Sequence, residues 1–549
     1  MRALWLLPPL AVGALLRLWG LSRQILFGDE VHAVVAALGL TVPEILTTYR
    51  IADHCIPLSA LYRLLMDGGV RISEGVLRTP VAIAGLAALV LFPVGAARWR
   101  ELGGGWRRAA VLAWLVAVSP GLIYYSRFAR PYAMVVVLAP VAAAAFWHWW
   151  RGGGHRWAAL YLLAGAVSAW FFLGSAPFVA APLAWAAGDL AWRRLGRRPE
   201  NRGRGLLALG AAGTGLAAGI AAFLLPALPS FLRLVRRKAS FAWADAGDLA
   251  AVAQVLAGTS WPLLAVLFWA LAGVGLAAFL RRRPALASYT LVLVVGHWAA
   301  LLLVLRPEGI GVPFVINRYV LVTLPVILLW VAEGVVWLGE LLGRGVGMAE
   351  KAVVAACVAA LVAGGPFAAD PASRLGSFAG TTPMLTLYRE PPALPPSAVP
   401  AAYRQIAAEP GDEAVIEPAF AKGAIYSLRP TIYLAALHRR PVILAAGDPW
   451  RSDLRLAFRT VVPADPGAME RSGGRFVVLH LDLPSLYRVE RAVERGGRMP
   501  RPTPGDHPAN ARARELARTL EREWGEPHLV SGDVLLWDLA RVPRGPSPR

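Results

Sequence analysis

Residues 261–283 read WPLLAVLFWALAGVGLAAFLRRR, an uncharged stretch of twenty residues closed by three arginines. An uncharged run of this length crosses the hydrocarbon core of a bilayer as one α-helix. After Pro284, a second apolar run follows at 285–305. Paired apolar runs joined by a short basic loop are typical of multi-span membrane proteins. The sequence therefore predicts a polytopic α-helical membrane protein.

Similar runs recur along most of the chain. Those long enough to span a bilayer are 3–21, 78–97, 109–125, 131–150, 205–228, 261–280, 285–305, 319–339 and 351–367. Two shorter runs, 158–173 and 176–192, are separated only by Gly174 and Ser175 and predict a tight helical hairpin. We therefore expect about eleven transmembrane helices. Leaving out the hairpin gives nine, and with either count the two ends of the membrane region lie on opposite sides.

The basic loops predict the orientation. Alternate short loops are rich in arginine, at 98–108, 151–156, 193–204 and 281–283. The positive-inside rule places these loops and the N-terminus in the cytoplasm. The outer loops 22–77 and 229–260, and everything after about residue 368, then lie outside. A composition rich in Ala, Gly and Arg favours a GC-rich bacterium, and hence the inner (plasma) membrane.

Composition excludes several classes of protein. The formal charge of +21 accompanies 57% hydrophobic residues. Most arginines stand between apolar runs, which favours contact with membrane lipid over a nucleic-acid partner. Cys55 and Cys357 cannot form a disulfide framework, and no Cys/His cluster has zinc spacing.

The C-terminal region has a different pattern. We expect a membrane domain over 1–367, a linker over 368–400 containing PPALPP, and an extracytoplasmic domain over 401–549. Short strand-like runs at 414–416, 441–445, 476–481 and 534–539 alternate with helical ones such as 511–524. This alternation predicts a small soluble α/β domain.

Adjacent acids stand at the start of the first outer loop, in the string Gly28-Asp29-Glu30-Val31-His32. A partly desolvated Asp29 is a plausible general base, and His32 shares its face if a helix begins here. Asp29 is equally plausible as the N-cap of that helix, and one residue can serve as both cap and base. His54, later in the same loop, reads more simply as a solvated surface residue.

Arginines and tyrosines also gather on the predicted outer side, which should be poor in positive charge. The turn Ser126-Arg127-Phe128-Ala129-Arg130-Pro131-Tyr132 carries two arginines, and arginine pairs recognise phosphate. Anionic headgroups are the competing partner. For arginines at helix ends, such as Arg17 and Arg78, snorkelling to headgroups is the simpler reading. Arg237, in the basic segment 233–238, can clamp a lipid phosphate or rest on anionic lipid.

Six features occur in a characteristic order over residues 1–340. They are Leu16-Arg17-Leu18, Gly28 to His32, His54 to Leu58, Arg78-Thr79-Pro80, Ser126 to Tyr132, and Arg318-Tyr319 ahead of Leu324-Pro325. Together they resemble the GT-C superfamily of glycosyltransferases, in its protein O-mannosyltransferase and aminoarabinose transferase branch. The family often has His-Pro-Pro-Leu where this chain has His54-Cys55-Ile56-Pro57-Leu58. Its animal and fungal members carry a β-trefoil insert for which no segment here is long enough.

The resemblance implies transfer of a sugar from a polyprenyl-phosphate donor to an acceptor hydroxyl on the extracytoplasmic face, usually with inversion. It implies Asp29 as the base, assisted by Glu30. Residues implied or proposed at the donor phosphate are Arg78, Arg127, Arg130, Arg318 and Tyr319, with His32, His54, Tyr132 and Arg237 as possible substrate contacts. Because fixed cations can stabilise the leaving phosphate, we expect no cofactor and metal-independent transfer.

Two other functions compete with the glycosyltransferase reading. A transporter or flippase for a lipid-linked or anionic solute would place ionisable residues near the bilayer midplane and show internal repeats. The apolar runs here are nearly free of acids, and no repeat is evident. A catalytically inactive scaffold would not require Asp29, Glu30 and both arginines of the turn. The sugar, and whether the acceptor is protein, lipid or glycan, are not encoded in any motif.

Overall fold

The computed structural model describes residues 2–19, 21, 30, 33, 36–37, 40–49, 55–70, 74–99, 105–195, 205–238, 243–259, 261–307, 313–342, 351–352, 355–360, 399–419, 438, 440, 442–446, 460–482 and 508–542. Two compact units divide the chain. The first comprises Met1–Leu21, Leu46–Leu58 and Arg78–Leu375, and the second comprises Ser22–Ile45, Ser59–Leu77 and Gly376–Arg549.

Helices dominate the chain up to residue 342. In order, α1 to α8 are Leu7–Leu18, Val42–Thr47, Ile56–Asp67, Glu74–Arg98, Trp106–Val118, Pro120–Ser126, Tyr132–Trp150 and His155–Phe171. Helices α9 to α16 are Ala176–Leu195, Leu206–Leu224, Leu228–Lys238, Ala246–Ala257, Pro262–Arg282, Pro284–Ala299, Pro313–Val320 and Leu324–Leu342. Short 3-10 turns, Leu173–Ser175, Leu225–Ala227 and Leu321–Thr323, connect consecutive helices.

The expected count of eleven transmembrane helices is not confirmed. Among the described residues, six helices are long and apolar enough to cross a membrane, or seven if the bent pair α5–α6 is one span. The first predicted span is a shorter apolar helix, Leu4–Leu18. The predicted hairpin exists as α8 and α9, but neither belongs to those six. Most of the predicted span 351–367 lies outside the described residues.

Prolines explain why continuous apolar runs become broken helices. The run 109–125 bends by 58° between Val118 and Pro120. Proline has no N–H to donate to the carbonyl four residues earlier, so a helix breaks or kinks where it enters. Pro325, likewise, follows the 3-10 turn between α15 and α16. Hydropathy alone detects the run but not the break.

Helix α16 packs against α13 at two glycines. A side chain at Gly275 or Gly334 would collide with the backbone of the opposite helix, so the two helices approach at backbone distance. Next to this contact, Glu333 is completely buried and accepts a hydrogen bond from Arg108 Nε at the start of α5. Arg282 Nη1 lies 3.7 Å from the same carboxylate, and Arg282 Nη2 lies 2.8 Å from Glu340. We call this end of the first unit the Arg108 end.

The second unit contains a six-stranded sheet. Its strands β1 to β6 are Ala414–Ala419, Val442–Ala446, Thr460–Pro463, Gly474–His480, Leu529–Ser531 and Val534–Asp538. Their order in the sheet is β3-β2-β1-β4-β6-β5, with β1 to β4 parallel and the last two pairings antiparallel. Four strands and the helix at 511–524 match the predicted runs. The expected α/β region is therefore present, while its solubility and its exact boundaries stay predictions.

The sheet has an apolar core and a buried polar cluster. Helices α17 to α19 are Ala401–Ala408, Pro466–Arg471 and Pro508–Trp524. Met469 of α18 and Leu520 of α19 pack with Ile416 and Trp537 in the apolar core. Tyr403 of α17 donates to Glu417 at 3.0 Å, and its hydroxyl lies 2.8 Å from His480 Nε2. The ring of His438 stacks on Tyr403, with centroids 6.1 Å apart.

Candidate active site

The turn 127–131 between α6 and α7 is the centre of the candidate site. Every residue from Pro120 to Ala133 is buried, and Arg127 and Arg130 are only 4% and 3% exposed. Gly85 of α4 permits this packing, because a Cβ there would collide with the side chain of Ser126. We call this end of the first unit the turn end. It lies opposite the Arg108 end along the bent pair α5–α6.

Arg17 holds the helix break beside this turn. Its guanidinium donates to the carbonyls of Val116 at 2.8 Å, Ala117 at 3.0 Å and Gly13 at 2.9 Å. Pro120 cannot donate to Val116, so Arg17 supplies the hydrogen bond that the helix lacks. Arg17 is completely buried. It therefore does not reach out to headgroups, contrary to the simpler reading of the sequence.

Arg127 and Arg78 also bond to backbone at the end of α1. Arg127 Nη1 donates to the carbonyls of Leu16, Arg17 and Trp19, with a shortest distance of 2.6 Å to Trp19. Arg78 Nη1 donates to the carbonyl of Leu21 at 3.0 Å. The last carbonyls of a helix have no partner within it, so these arginines act as caps. Their described bonds position the chain around the turn.

Arg130 stands at the head of a row of aromatic rings. Its guanidinium lies 5.8 Å from the centroid of the Tyr132 ring. The Tyr132 and Phe172 rings are 5.3 Å apart, and the Phe172 and Tyr319 rings are 5.0 Å apart. Phe172 thus joins the turn to the Arg318-Tyr319 motif, nearly two hundred positions later in the chain. The structure brings these two predicted parts of the site together.

Small residues and backbone bonds fix Tyr319. A Cβ at Gly174 would lie 2.7 Å from Tyr319 Cδ1, so the close approach needs glycine. His297 Nε2 hydrogen-bonds to the Tyr319 carbonyl at 2.9 Å, where the helix passes into the 3-10 turn. Arg318, the preceding residue, is half-buried. The position of the motif is therefore set by α14 and by the turn before α9.

Cys55 lies beside the row of aromatic rings, next to Phe171. Its thiol donates to the Phe171 carbonyl at 3.3 Å. Burial raises the pKa of the Cys55 thiol to about 12, while a backbone hydrogen bond and the Arg130 cation oppose that rise. A thiol with so high a pKa is not a nucleophile at neutral pH. Cys55 therefore contributes packing beside the row of aromatic rings.

The predicted acids and histidines are described only in part. Glu30 is completely buried and belongs to the second unit. Asp29, His32 and His54 lie outside the described residues, as does the side chain of Arg237. The roles of Asp29 and Glu30 stay predictions. Among the described side chains, no three His, Cys, Asp or Glu residues come together as metal ligands.

Sequence reasoning missed three neighbours of the site. Phe172 and Cys55 carry no chemical signal of their own, and His297 looked like an ordinary histidine in an apolar run. The sequence favours contact of Arg17 with lipid headgroups, whereas the structure buries Arg17 against backbone carbonyls. Each acts through a contact with a distant part of the chain, such as the hundred positions between Arg17 and Ala117. No local pattern encodes such a contact.

The chain is similar to several solved structures. No protein-family model and no curated protein matches the chain. Crystal structures of ArnT from Cupriavidus metallidurans are similar at 14% and 15% identity, each with a TM-score of 0.46. The match with the apo structure spans 86% of this chain and 92% of the ArnT chain. The match with the structure bound to undecaprenyl phosphate spans 87% of this chain and 94% of the ArnT chain.

A third similar structure is the arabinofuranosyltransferase AftD from Mycobacteria. Its identity is 15% and its TM-score 0.42, over 98% of this chain but only 40% of AftD. ArnT, an aminoarabinose transferase, and AftD are both GT-C glycosyltransferases, the superfamily that the sequence motifs resemble.

Proposed function

We propose that this protein is a glycosyltransferase that moves a sugar from a polyprenyl-phosphate donor to an acceptor hydroxyl at the turn end. One observation carries the proposal: Phe172 joins the Arg130–Tyr132 turn to the Arg318-Tyr319 motif through ring contacts of 5.3 and 5.0 Å. Two arginine-bearing segments from distant parts of the chain thus meet beside a row of aromatic rings. Such a site suits a phosphate carrying a sugar and a hydrocarbon chain.

The arginines divide into two groups in this proposal. Arg130 and Arg318 bind the donor phosphate and stabilise its charge as it leaves. Arg127 and Arg78, whose Nη1 atoms bond to carbonyls, hold the turn and the end of α1 in place. Tyr132 and Tyr319 offer ring faces to the sugar or the first isoprene unit. This assignment narrows the broader set of phosphate contacts expected from the sequence.

The proposed reaction breaks one bond and forms one. The acceptor oxygen attacks the anomeric carbon of the donor sugar, and the bond between that carbon and the phosphate oxygen breaks. The leaving phosphate takes the electron pair and stays attached to its polyprenyl chain. Asp29 accepts the proton of the acceptor hydroxyl, with Glu30 assisting. Attack opposite the leaving phosphate inverts the anomeric centre.

We propose that the turn end faces away from the cytoplasm in a bacterial plasma membrane. The arginine-rich loops predicted at the opposite side support this orientation through the positive-inside rule. Lipid-linked donors and the acceptor then meet on the extracytoplasmic face.

The leaving phosphate is neutralised by arginine in this proposal, so transfer requires no metal ion. We expect EDTA to leave the transfer rate in washed membranes unchanged. A loss of activity with EDTA that is restored by a divalent cation would contradict this part of the proposal. Addition of Mg²⁺ to untreated membranes is the matched control.

The central experiment measures sugar transfer in washed membranes, with a panel of labelled polyprenyl-phosphate hexoses and pentoses. We expect one donor to label an acceptor fraction, and Asp29→Asn to reduce transfer by at least a hundredfold by removing the base. Asp67→Asn is the matched control, because Asp67 is exposed and, among the described residues, pairs with Arg63 one helical turn away. Equal transfer by wild type and Asp29→Asn would overturn the assignment of the base.

A further inference from the structure

The surface of α10 and α11 carries an apolar groove below exposed arginines. Residues Leu206–Arg236 form one apolar helical stretch of 31 residues, interrupted only by the 3-10 turn. Such a stretch is about 46 Å long, whereas the hydrocarbon core is about 30 Å thick. Its last turns therefore reach the level of lipid headgroups. Arg233 and Arg236, both exposed, lie in those turns.

The groove holds a hydrocarbon chain by its size and lining. Its volume is about 410 Å³, and its lining is apolar. It is lined by Ala217, Ile220, Ala221, Leu224, Leu225 and Leu228. A spacing of three or four residues keeps side chains on one helical face. Leu232 and Arg236 follow Leu228 at this spacing, so the same helix face carries a cation about two turns beyond the groove.

The arginines at the end of this groove supply charge complementarity. Neither Arg233 nor Arg236 makes an ion pair or hydrogen bond within the described part of the chain. Leu232 and Val235, which directly precede these two arginines, are each 46% exposed. An apolar groove leading to two cations matches a lipid with one hydrocarbon chain and an anionic phosphate. Guanidinium groups bind phosphate through charge-assisted hydrogen bonds.

This surface is continuous with the candidate active site. The Tyr49 N–H donates to Ser230 Oγ of α11 at 2.8 Å, and the Tyr49 and Phe231 rings are 5.8 Å apart. Cys55, six positions after Tyr49, donates to the Phe171 carbonyl at 3.3 Å, and the next residue, Phe172, belongs to the row of rings at the turn. One short segment of the chain thus contacts α11 at Tyr49 and the residue before Phe172 at Cys55.

We propose that the groove and Arg233–Arg236 bind the polyprenyl monophosphate carrier as a second station, separate from the transfer site. This inference rests on the proposed function, which produces that carrier. A monophosphate ester has a charge near −2 at neutral pH, whereas the phosphodiester of a bilayer phospholipid has −1. Two arginines on one helix face therefore favour the carrier over bulk phospholipid.

The test counts carriers bound to the full-length protein. Nanodiscs of phosphatidylcholine containing the protein are titrated with radiolabelled undecaprenyl monophosphate. We expect two carriers per chain for the wild type and one for Arg233→Gln/Arg236→Gln, whose second affinity falls at least tenfold. Ala221→Trp, which fills the groove without changing charge, should also lose one carrier. Arg281→Gln/Lys351→Gln, which removes two exposed cations elsewhere, should retain two.

Three results would overturn the inference. A single carrier in the wild type, unaffected by Arg233→Gln/Arg236→Gln, would mean that only the transfer site binds it. Two carriers retained by the double variant would mean that the second lies elsewhere. Displacement of the second carrier by an equal concentration of phosphatidylglycerol would show a general anionic-lipid surface. In each of these cases, sugar transfer by the wild type in washed membranes still tests the proposed function separately. The absence of any bound carrier would contradict both proposals.

Discussion

The two ends of the helical unit hold their arginines in different ways. At the Arg108 end, Arg108 and Arg282 are bonded to carboxylates, those of Glu333 and Glu340. At the turn end, Arg17 and Arg127 are bonded to backbone carbonyls. A carboxylate cancels the charge of an arginine, whereas a carbonyl only orients it. The first arrangement locks helices together, and the described bonds of the second orient the arginines against the backbone.

The largest expected effect concerns the neutralised end. Glu333→Gln leaves Arg108 buried without its counter-charge, so we expect the protein to lose about 3–5 kcal/mol of stability. Thermal unfolding in detergent measures this loss. Glu340→Gln is the matched control, because Glu340 is 42% exposed and its pair with Arg282 should contribute less than about 1 kcal/mol. Equal losses in the two variants would remove the distinction between a locking pair and a surface pair.

A slightly smaller effect is expected at the other end, and on activity rather than stability. Arg130→Gln should lower kcat for sugar transfer by about a hundredfold, since a cation that stabilises the leaving phosphate is lost. Thermal unfolding of the variant, measured alongside, separates a loss of catalysis from a loss of folding. Arg281→Gln, exposed at the Arg108 end, is the control. Unchanged kcat in Arg130→Gln would assign Arg130 to packing alone.

The sheet shows a third way to bury an ionisable group, which is to keep it neutral. Burial lowers the pKa of His438 and of His480 from 6.5 to about 4; Arg440 adds to the effect at His438, and Asp533 opposes it at His480. The unfolded chain then binds more protons between these values, so stability is full above pH 6.5 and falls as the pH drops towards 4.

We expect each histidine to lower the free energy of unfolding by about 2 kcal/mol when the pH falls from 7 to 5. Unfolding of the full chain monitored between pH 7 and pH 5 measures this slope. His438→Phe should reduce this slope by about half and leave the part due to His480, because a neutral aromatic ring keeps the stacking on Tyr403 but cannot be protonated. A slope identical to that of wild type would show that His438 does not titrate on unfolding. His155→Phe, at an exposed histidine, is the control.

Much of the fold follows from the sequence, because long apolar runs and proline positions are local properties. The helices at 262–282 and 284–299 and the strands at 414–419 and 534–538 lie where their patterns predict. The number of complete spans does not follow, because breaks such as that at Pro120 depend on a distant partner like Arg17. Periodicity reports which residues are apolar but not where a helix bends.

The candidate site follows the same division. The order of motifs predicts that the turn and the Arg318-Tyr319 segment belong together, and the Phe172 contacts bring them together. The sequence could not separate Arg127, which caps α1, from Arg130, because both are arginines in one turn. The residue type shows what chemistry a side chain can perform, whereas its contacts in the structure show which group it binds.

The bonds of Arg17 to residues 116 and 117 have a consequence for how the chain is made. A ribosome adding about 5–20 residues per second reaches residue 117 roughly 5–20 s after residue 17. During that interval the first helix carries a cation in an apolar segment without its final acceptors, which is costly in a bilayer. The first helix therefore reaches its final position only after α5 has been synthesised. The structure at the beginning of the chain thus depends on a segment that is made later.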